Sequence, residues 1–162
     1  LFEGGIRVPF IAAGPGIRPA STCHTPVVGY DFLPTFVELA GGKPERLSEE
    51  VDGVSFAPLL QDPIAALQTR KSGGIVFHRP ERLFSVLREE RYKLILFWTR
   101  NGTVDHCELY DVRDNPTEEG NDLANDQPQR VKRMTATLLG FLTYVEADKP
   151  KVKPRKARQY AA

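Results

Sequence analysis

The hydrophobic positions fall into runs of two lengths. Ile6 to Ala13 is a short apolar stretch of strand length, closed by Gly14-Pro15-Gly16. Further on, Leu33, Phe36, Val37 and Ala40 recur at helical spacing and predict a helix. Asp31 stands where it can cap that helix, Pro34 falls in its first turn, and Gly41-Gly42 ends it. Short apolar runs then follow: Gly74 to His78, Phe84 to Arg88 and Tyr92 to Trp98, the last two separated by the charged turn Glu89-Glu90-Arg91. Asn101-Gly102 marks a hairpin turn, with Glu108 to Val112 as its return strand. These segments predict an antiparallel sheet of about four strands. Val131, Met134, Leu138, Phe141, Leu142 and Val145 form one apolar stripe on a last helix, with Asn125 or Asp126 as its cap and Pro128 just inside. A sheet with one covering helix is an α+β subdomain.

Composition changes little in this picture. The chain has 162 residues, 41% hydrophobic and 27% charged, ordinary values for a soluble protein. No apolar stretch is long enough to span a membrane. The net charge of +1 hides an asymmetry. Six basic residues and no acidic one lie from Lys149 onward, so the preceding body carries 16 positive against 21 negative residues. The Pro- and Lys-rich tail, 149–162, is expected to be disordered, and its charge is read as solvation in preference to a nucleic-acid contact. Cys23-His24 and His106-Cys107 are adjacent pairs. Neighbouring residues point different ways on a strand or helix, so two free thiols are preferred to a zinc site.

Several stretches carry a resemblance. Glu3-Gly4-Gly5-Ile6-Arg7-Val8-Pro9 resembles the Y-E-G-G-x-R-V-P signature of the type I, formylglycine-dependent sulfatases of the alkaline-phosphatase-like superfamily. Asp31 to Gly41 is similar to that family's D-x-x-P-T-x-x-x-x-A-G, and Val51 to Leu60 to its x-D-G-x-S-x-x-P-L-L. Arg91-Tyr92-Lys93-Leu94-Ile95, Glu108-Leu109-Tyr110-Asp111-Val112, and Asn115 to Ala124 resemble its closing motifs. Each is weak alone, and six in the right order are strong. The resemblance implies an α/β remnant of a sulfatase catalytic domain over residues 1–62. An α+β subdomain over 63–148 and the basic tail follow it.

The chemistry of that family sets further expectations. Sulfate ester hydrolysis needs a nucleophile at sulfur, cations on the sulfate oxygens and an acid for the departing alcohol. In the family these come from a hydrated formylglycine, a calcium held by Asp and Asn oxygens, and a lysine, all N-terminal to the Glu-Gly-Gly motif. Only Leu1 and Phe2 precede that motif here, so the catalytic residues are expected N-terminal to Leu1. Formylglycine forms in a C/S-x-P-S-R context that neither Cys23 nor Cys107 has. No catalytic or metal-binding residue is therefore assigned within this chain. Calcium and formylglycine are expected in the complete enzyme, and the isolated chain is expected to be inactive.

Glu3, Gly4, Gly5 and Arg7 are the residues nearest the expected centre. They are read as structural: Glu3 and Arg7 paired or bonded to backbone, the glycines fitting a tight path. His78 is the substrate-contact candidate, because Phe77-His78-Arg79-Pro80 resembles the F/Y-W-H-x-P of bacterial carbohydrate sulfatases. A packing role for it is weighed beside that one. His24 and His106 read as loop or strand-end residues. Asn101-Gly102-Thr103 is a formal glycosylation acceptor, although the hairpin already accounts for Asn-Gly.

The expected partners are a sulfated small molecule or glycan and the N-terminal catalytic portion. Self-association through an exposed face of strand 6–13 is also expected, and a periplasmic or secreted location follows from the resemblance. Two rival readings stand beside the sulfatase. One is a phosphodiesterase or phosphonate hydrolase of the same superfamily; the other is a non-catalytic binding module.

Overall fold

The computed structural model describes residues 2–151. Four strands build its centre: β1 (Ile75–Arg79), β2 (Phe84–Glu89), β3 (Tyr92–Trp98) and β4 (Val104–Asp111). They pair antiparallel in chain order, a simple meander. The expected sheet is present, and its turns explain its connections. Glu90 takes φ +46 in the two-residue β2–β3 turn, and Gly102 takes φ +82 in the β3–β4 turn, where the backbone of Thr99 and Thr103 closes the loop. The return strand begins at Val104, four residues earlier than the apolar pattern marks. Ladder bonds recruit its polar first half irrespective of side-chain character.

The register gives each face its own character. Val76, Leu87, Leu94, Leu96 and Leu109 share one face. Helix α4 (Pro128–Tyr144) covers it with Met134, Leu138 and Leu142. The stripe is narrower than its spacing suggests, because Val145 stands just past the helix end and is 47% exposed. Gln127, not Asn125 or Asp126, occupies the position before the helix, and no side chain caps it. Asp122, just upstream, accepts the Leu109 and Ala124 N–H groups instead, tying the entry loop to β4. The other face carries Val86 and Ile95, both buried, with Phe77, Phe84 and Phe97 packed about them.

The N-terminal part is built from short helices: α1 (Glu3–Ile6), α2 (Phe32–Leu39) and α3 (Ala57–Gln61). Phe10, Phe32 and Phe56 meet edge to face at 5.5–5.6 Å between ring centres. The expected strand over 6–13 does not form. Ile6 ends the α1 turn, and residues 7–13 join no ladder among the described residues. A strand needs a neighbour for its N–H and C=O groups, and apolar pattern reports only the wish to be buried. Here Val8, Phe10 and Ile11 stay exposed.

Helix α3 ends at Gln61 and β1 starts at Ile75, so the expected boundary near residue 62 falls in the link between them. Two expectations fall at the ends of the chain. The tail expected to be disordered lies, from residue 152 on, outside the described residues, and so does Leu1, the position before which the catalytic groups are expected.

Leu138→Ala removes a fully buried side chain from the α4–sheet contact and is expected to cost about 2–5 kcal/mol in urea denaturation. Val145→Ala should stay within about 0.5 kcal/mol. Equal costs for the two would show that the stripe does not end where the helix does.

Candidate functional site

The chemistry-bearing side chains gather in three places. The first lies on the sheet face opposite α4. Arg88 of β2 and Lys93 of β3 are directly opposed cross-strand partners. Lys93 is completely buried, and the Arg88 side chain is 11% exposed. Two like charges in that position repel and lose their hydration. The Glu3 carboxylate lies between them, with Oε2 2.8 Å from Arg88 and Oε1 accepting from Lys93 Nζ at 3.4 Å. Glu118, from the loop after β4, brings a second buried carboxylate 2.7 Å from Lys93 Nζ. Its other oxygen accepts the backbone N–H of Glu3 at 2.5 Å. Glu3, Lys93 and Glu118 thus close a ring through the Glu3 N–H, and Arg88 joins it at the Glu3 carboxylate, so two anions meet two cations. Phe2 lies over Lys93, with the ammonium 6.0 Å from its ring centre.

Arg7 is exposed, and its guanidinium donates to the Val112 carbonyl at 3.3 Å. Gly4 and Gly5 lie between the two anchors, within the α1 turn. Neither has a positive φ, and a Cβ added to either would meet no atom within 4 Å. The tight path expected of them is not what this turn contains.

The second place is Asp31. It sits before α2, as a cap would, but makes no capping bond to that helix. Its carboxylate forms a two-pronged pair with Arg70, 2.6 Å on each side, and accepts the N–H groups of Val28 and Val54. Thr35, one turn later, donates to the Asp31 carbonyl and accepts the Phe56 N–H. Asp31 and Thr35 thus hold the 51–56 segment against α2. Gly53 completes the fit: a Cβ there would fall 2.1 Å from the Tyr30 carbonyl. The motifs around Asp31 and Gly53 are two halves of one contact.

The third place is His78. Its Nε2 lies 2.6 Å from the Asp148 carbonyl, an acceptor only, so Nε2 carries the proton. In the neutral ring Nδ1 then accepts from the Ser85 hydroxyl at 2.7 Å, and Ser85 accepts from Trp98 Nε1–H at 2.7 Å. Both ring nitrogens are engaged. The ring also borders a cavity of about 300 Å³ with Tyr30, Asp52, Ser72 and Phe141. Burial pushes the Tyr30 phenol up, against the opposing pull of Arg70. His106 lies in β4, stacked on Phe97 at 4.4 Å and paired with Asp105. His24 lies in the exposed loop before α2.

Calcium, the ion that the resemblance implies, asks for several converging carboxylate or amide oxygens. Among the described residues no three His, Cys, Asp or Glu side chains converge in that way. The buried carboxylates here are each matched to a cation or an N–H, so this chain's residues do not fit that ion. Cys107 sits in β4 beside Thr135, and Cys23 is an exposed loop thiol.

Lys93, Arg88, Glu118 and Arg70 were not legible as site residues. The one available signal is Lys93 itself, which alternates with Ile95 and Phe97 on a core-facing register.

Comparison with known proteins agrees with this architecture. The family described as N-sulphoglucosamine sulphohydrolase, C-terminal, matches residues 1–143. The chain is 30% identical over 162 residues to an ulvan-active sulfatase of Formosa agariphila, covering 79% of this chain and 31% of that protein. It is 31% identical over 140 residues to a choline-sulfatase of Rhizobium meliloti, covering 85% of this chain and 25% of that protein. A solved putative sulfatase of Bacteroides fragilis superposes with a TM-score of 0.51 at 20% identity, covering 72% of this chain and 24% of that one. The chain thus spans about a quarter to a third of the relatives it matches. This is a sulfatase-type fold. The chain belongs to the sulfatase family and corresponds to its C-terminal part.

Asp31→Asn removes the anion from a pair whose side chains are 0% and 8% exposed. Leaving Arg70 buried without its counter-ion should cost about 3–5 kcal/mol, read as a fall in the urea midpoint. Burial pushes the Cys107 thiol up, Thr135 opposing, so a disulfide-exchange reagent at pH 8 should label Cys23 first. Faster labelling of Cys107 would contradict the packing of β4 under α4.

Proposed function

We propose that this chain is the C-terminal part of an enzyme that hydrolyses sulfate esters of a carbohydrate. The nucleophile, the formylglycine and the calcium site belong to a catalytic portion N-terminal to Leu1, which this segment completes. The observation that carries the reading is the sulfatase family match over residues 1–143, which spans both the Glu-Gly-Gly turn and the β-sheet. The carbohydrate assignment is supported by relatives named ulvan-active sulfatase and N-acetylglucosamine-6-sulfatase.

The exposed apolar surface supports the catalytic portion as partner. Ile11 is 88% exposed, Val8 76% and Phe36 60%, with Leu33 and Leu39 also open on α2. A large apolar surface of this kind usually marks a contact site. Covering it with the sheet of a catalytic portion would bury residues that this chain leaves in water. Substrate hydrolysis then depends on groups of that portion, and this segment contributes the turn at Glu3 and the sheet behind it. His78, its ring nitrogens already engaged, is read as holding the 145–148 segment onto β1; the Asp148 carbonyl must leave before the ring can reach a sugar.

The decisive test is turnover. A full-length protein containing this segment should hydrolyse an aryl sulfate and prefer it to the matching aryl phosphate, while the isolated chain should turn over neither. A preference for phosphate would move the assignment to the phosphoryl-transfer members of the superfamily. The isolated chain should also associate as its concentration rises in sedimentation velocity, and Ile11→Glu with Phe36→Glu should return it to a monomer. A wild-type chain that stays monomeric at high concentration would remove the apolar-face argument.

A further inference from the structure

The ring of Glu3, Arg88, Lys93 and Glu118 has a purpose that packing alone does not supply. We propose that Glu118 and Lys93 are positioning residues: they fix the Glu3–Gly5 turn from behind, so that its glycine backbone faces the catalytic portion in one set geometry. The inference rests on the sulfatase reading above.

Four observations carry it. The ring joins residues far apart in sequence: the first helical turn, the two central strands and the loop after β4. Its bonds reach both the side chain and the main chain of Glu3, so they set the orientation of the turn as well as its place. Glu118 holds φ +59, a left-handed conformation that a residue other than glycine rarely keeps unless its surroundings dictate it. Here the buried carboxylate is what those surroundings hold, at 2.5 Å from the Glu3 N–H. Finally, the clamped turn presents Gly4 and Gly5 outward, both exposed, with no neighbour among the described residues that demands glycine. Glycine inside a helical turn is the less stable choice. A group approaching closely from outside the described residues gives it a reason.

The cation pair explains why the clamp is directional. Arg88 and Lys93 oppose each other across the sheet and need carboxylate between them. Only a turn docked with Glu3 pointing inward supplies it. A displaced turn leaves Arg88 without its carboxylate and Lys93 with Glu118 alone, so partial docking is disfavoured.

The test has two arms. In the first, native-state amide exchange is measured over residues 3–7 of the full chain for wild type, Glu118→Ala and Glu118→Gln. Glu118→Ala should speed exchange there by about tenfold or more, and Glu118→Gln, which keeps an acceptor for the Glu3 N–H, by less, while the Leu94 and Leu96 amides keep their protection. Exchange unchanged at 3–7 in both variants overturns the clamp. So does an equal rise throughout the sheet. Should the alanine variant fail to fold, the near-isosteric glutamine variant decides alone.

In the second arm, Glu118→Gln in the full-length sulfatase, assayed well below its lowered Tm, should lower kcat for an aryl sulfate by about tenfold with KM close to wild type. Met134→Ala, a buried helix residue away from the ring, should lower Tm and leave kcat unchanged. Unchanged kcat in a Glu118→Gln variant whose turn exchanges faster overturns the positioning role. A wild-type full-length protein without aryl sulfatase activity removes the sulfatase reading and this role with it, and the exchange arm still decides the clamp.

Discussion

Two cations face each other across neighbouring strands, in a place where water does not reach Lys93 at all. That arrangement is tolerable only with carboxylates placed against it. Glu3 and Glu118 meet that need from positions 115 residues apart. The constraint runs in both directions: the sheet dictates where the first turn docks, and the turn makes the charged sheet face stable. A second pair, Asp31 with Arg70, does the same for the N-terminal helices and the link that leads to β1. Buried ion pairs of this sort add little net stability, but they reject displaced arrangements, because each wrong docking strands a charge.

The two sheet faces thus divide the labour. One is a conventional apolar contact, Leu87, Leu94, Leu96 and Leu109 under Met134, Leu138 and Leu142. It gives the subdomain its cohesion without specifying anything beyond itself. The other mixes Val86 and Ile95 with the charged ring, and through that ring it reaches the Glu-Gly-Gly turn.

The sulfatase motifs take on physical meanings in this light. The Asp and Thr before and within α2 hold the Asp-Gly segment twenty residues on, and Gly53 lacks a side chain because the Tyr30 carbonyl occupies that space. The lysine of the Tyr-Lys-Leu-Ile stretch and the glutamate of the Asn-Pro-Thr-Glu stretch are partners. Motifs that look like separate fingerprints along the chain are opposite sides of the same contacts.

Much of this was written locally. Strand and helix periodicity predicts the four strands and α4, because those elements bury a side-chain pattern against one another within a short span of sequence. Asn101-Gly102 sets its turn because Gly102 must take a positive φ. Tertiary structure decided the rest. Residues 6–13 look like a strand, yet a strand exists only where another backbone offers hydrogen bonds, and an apolar pattern cannot say whether one does. Asp31 looks like a helix cap, but a two-pronged arginine 39 residues away holds its carboxylate instead. The charged ring was invisible for the same reason: its members stand as much as 115 residues apart, and a charge declares its partner only once the fold has removed the water around it.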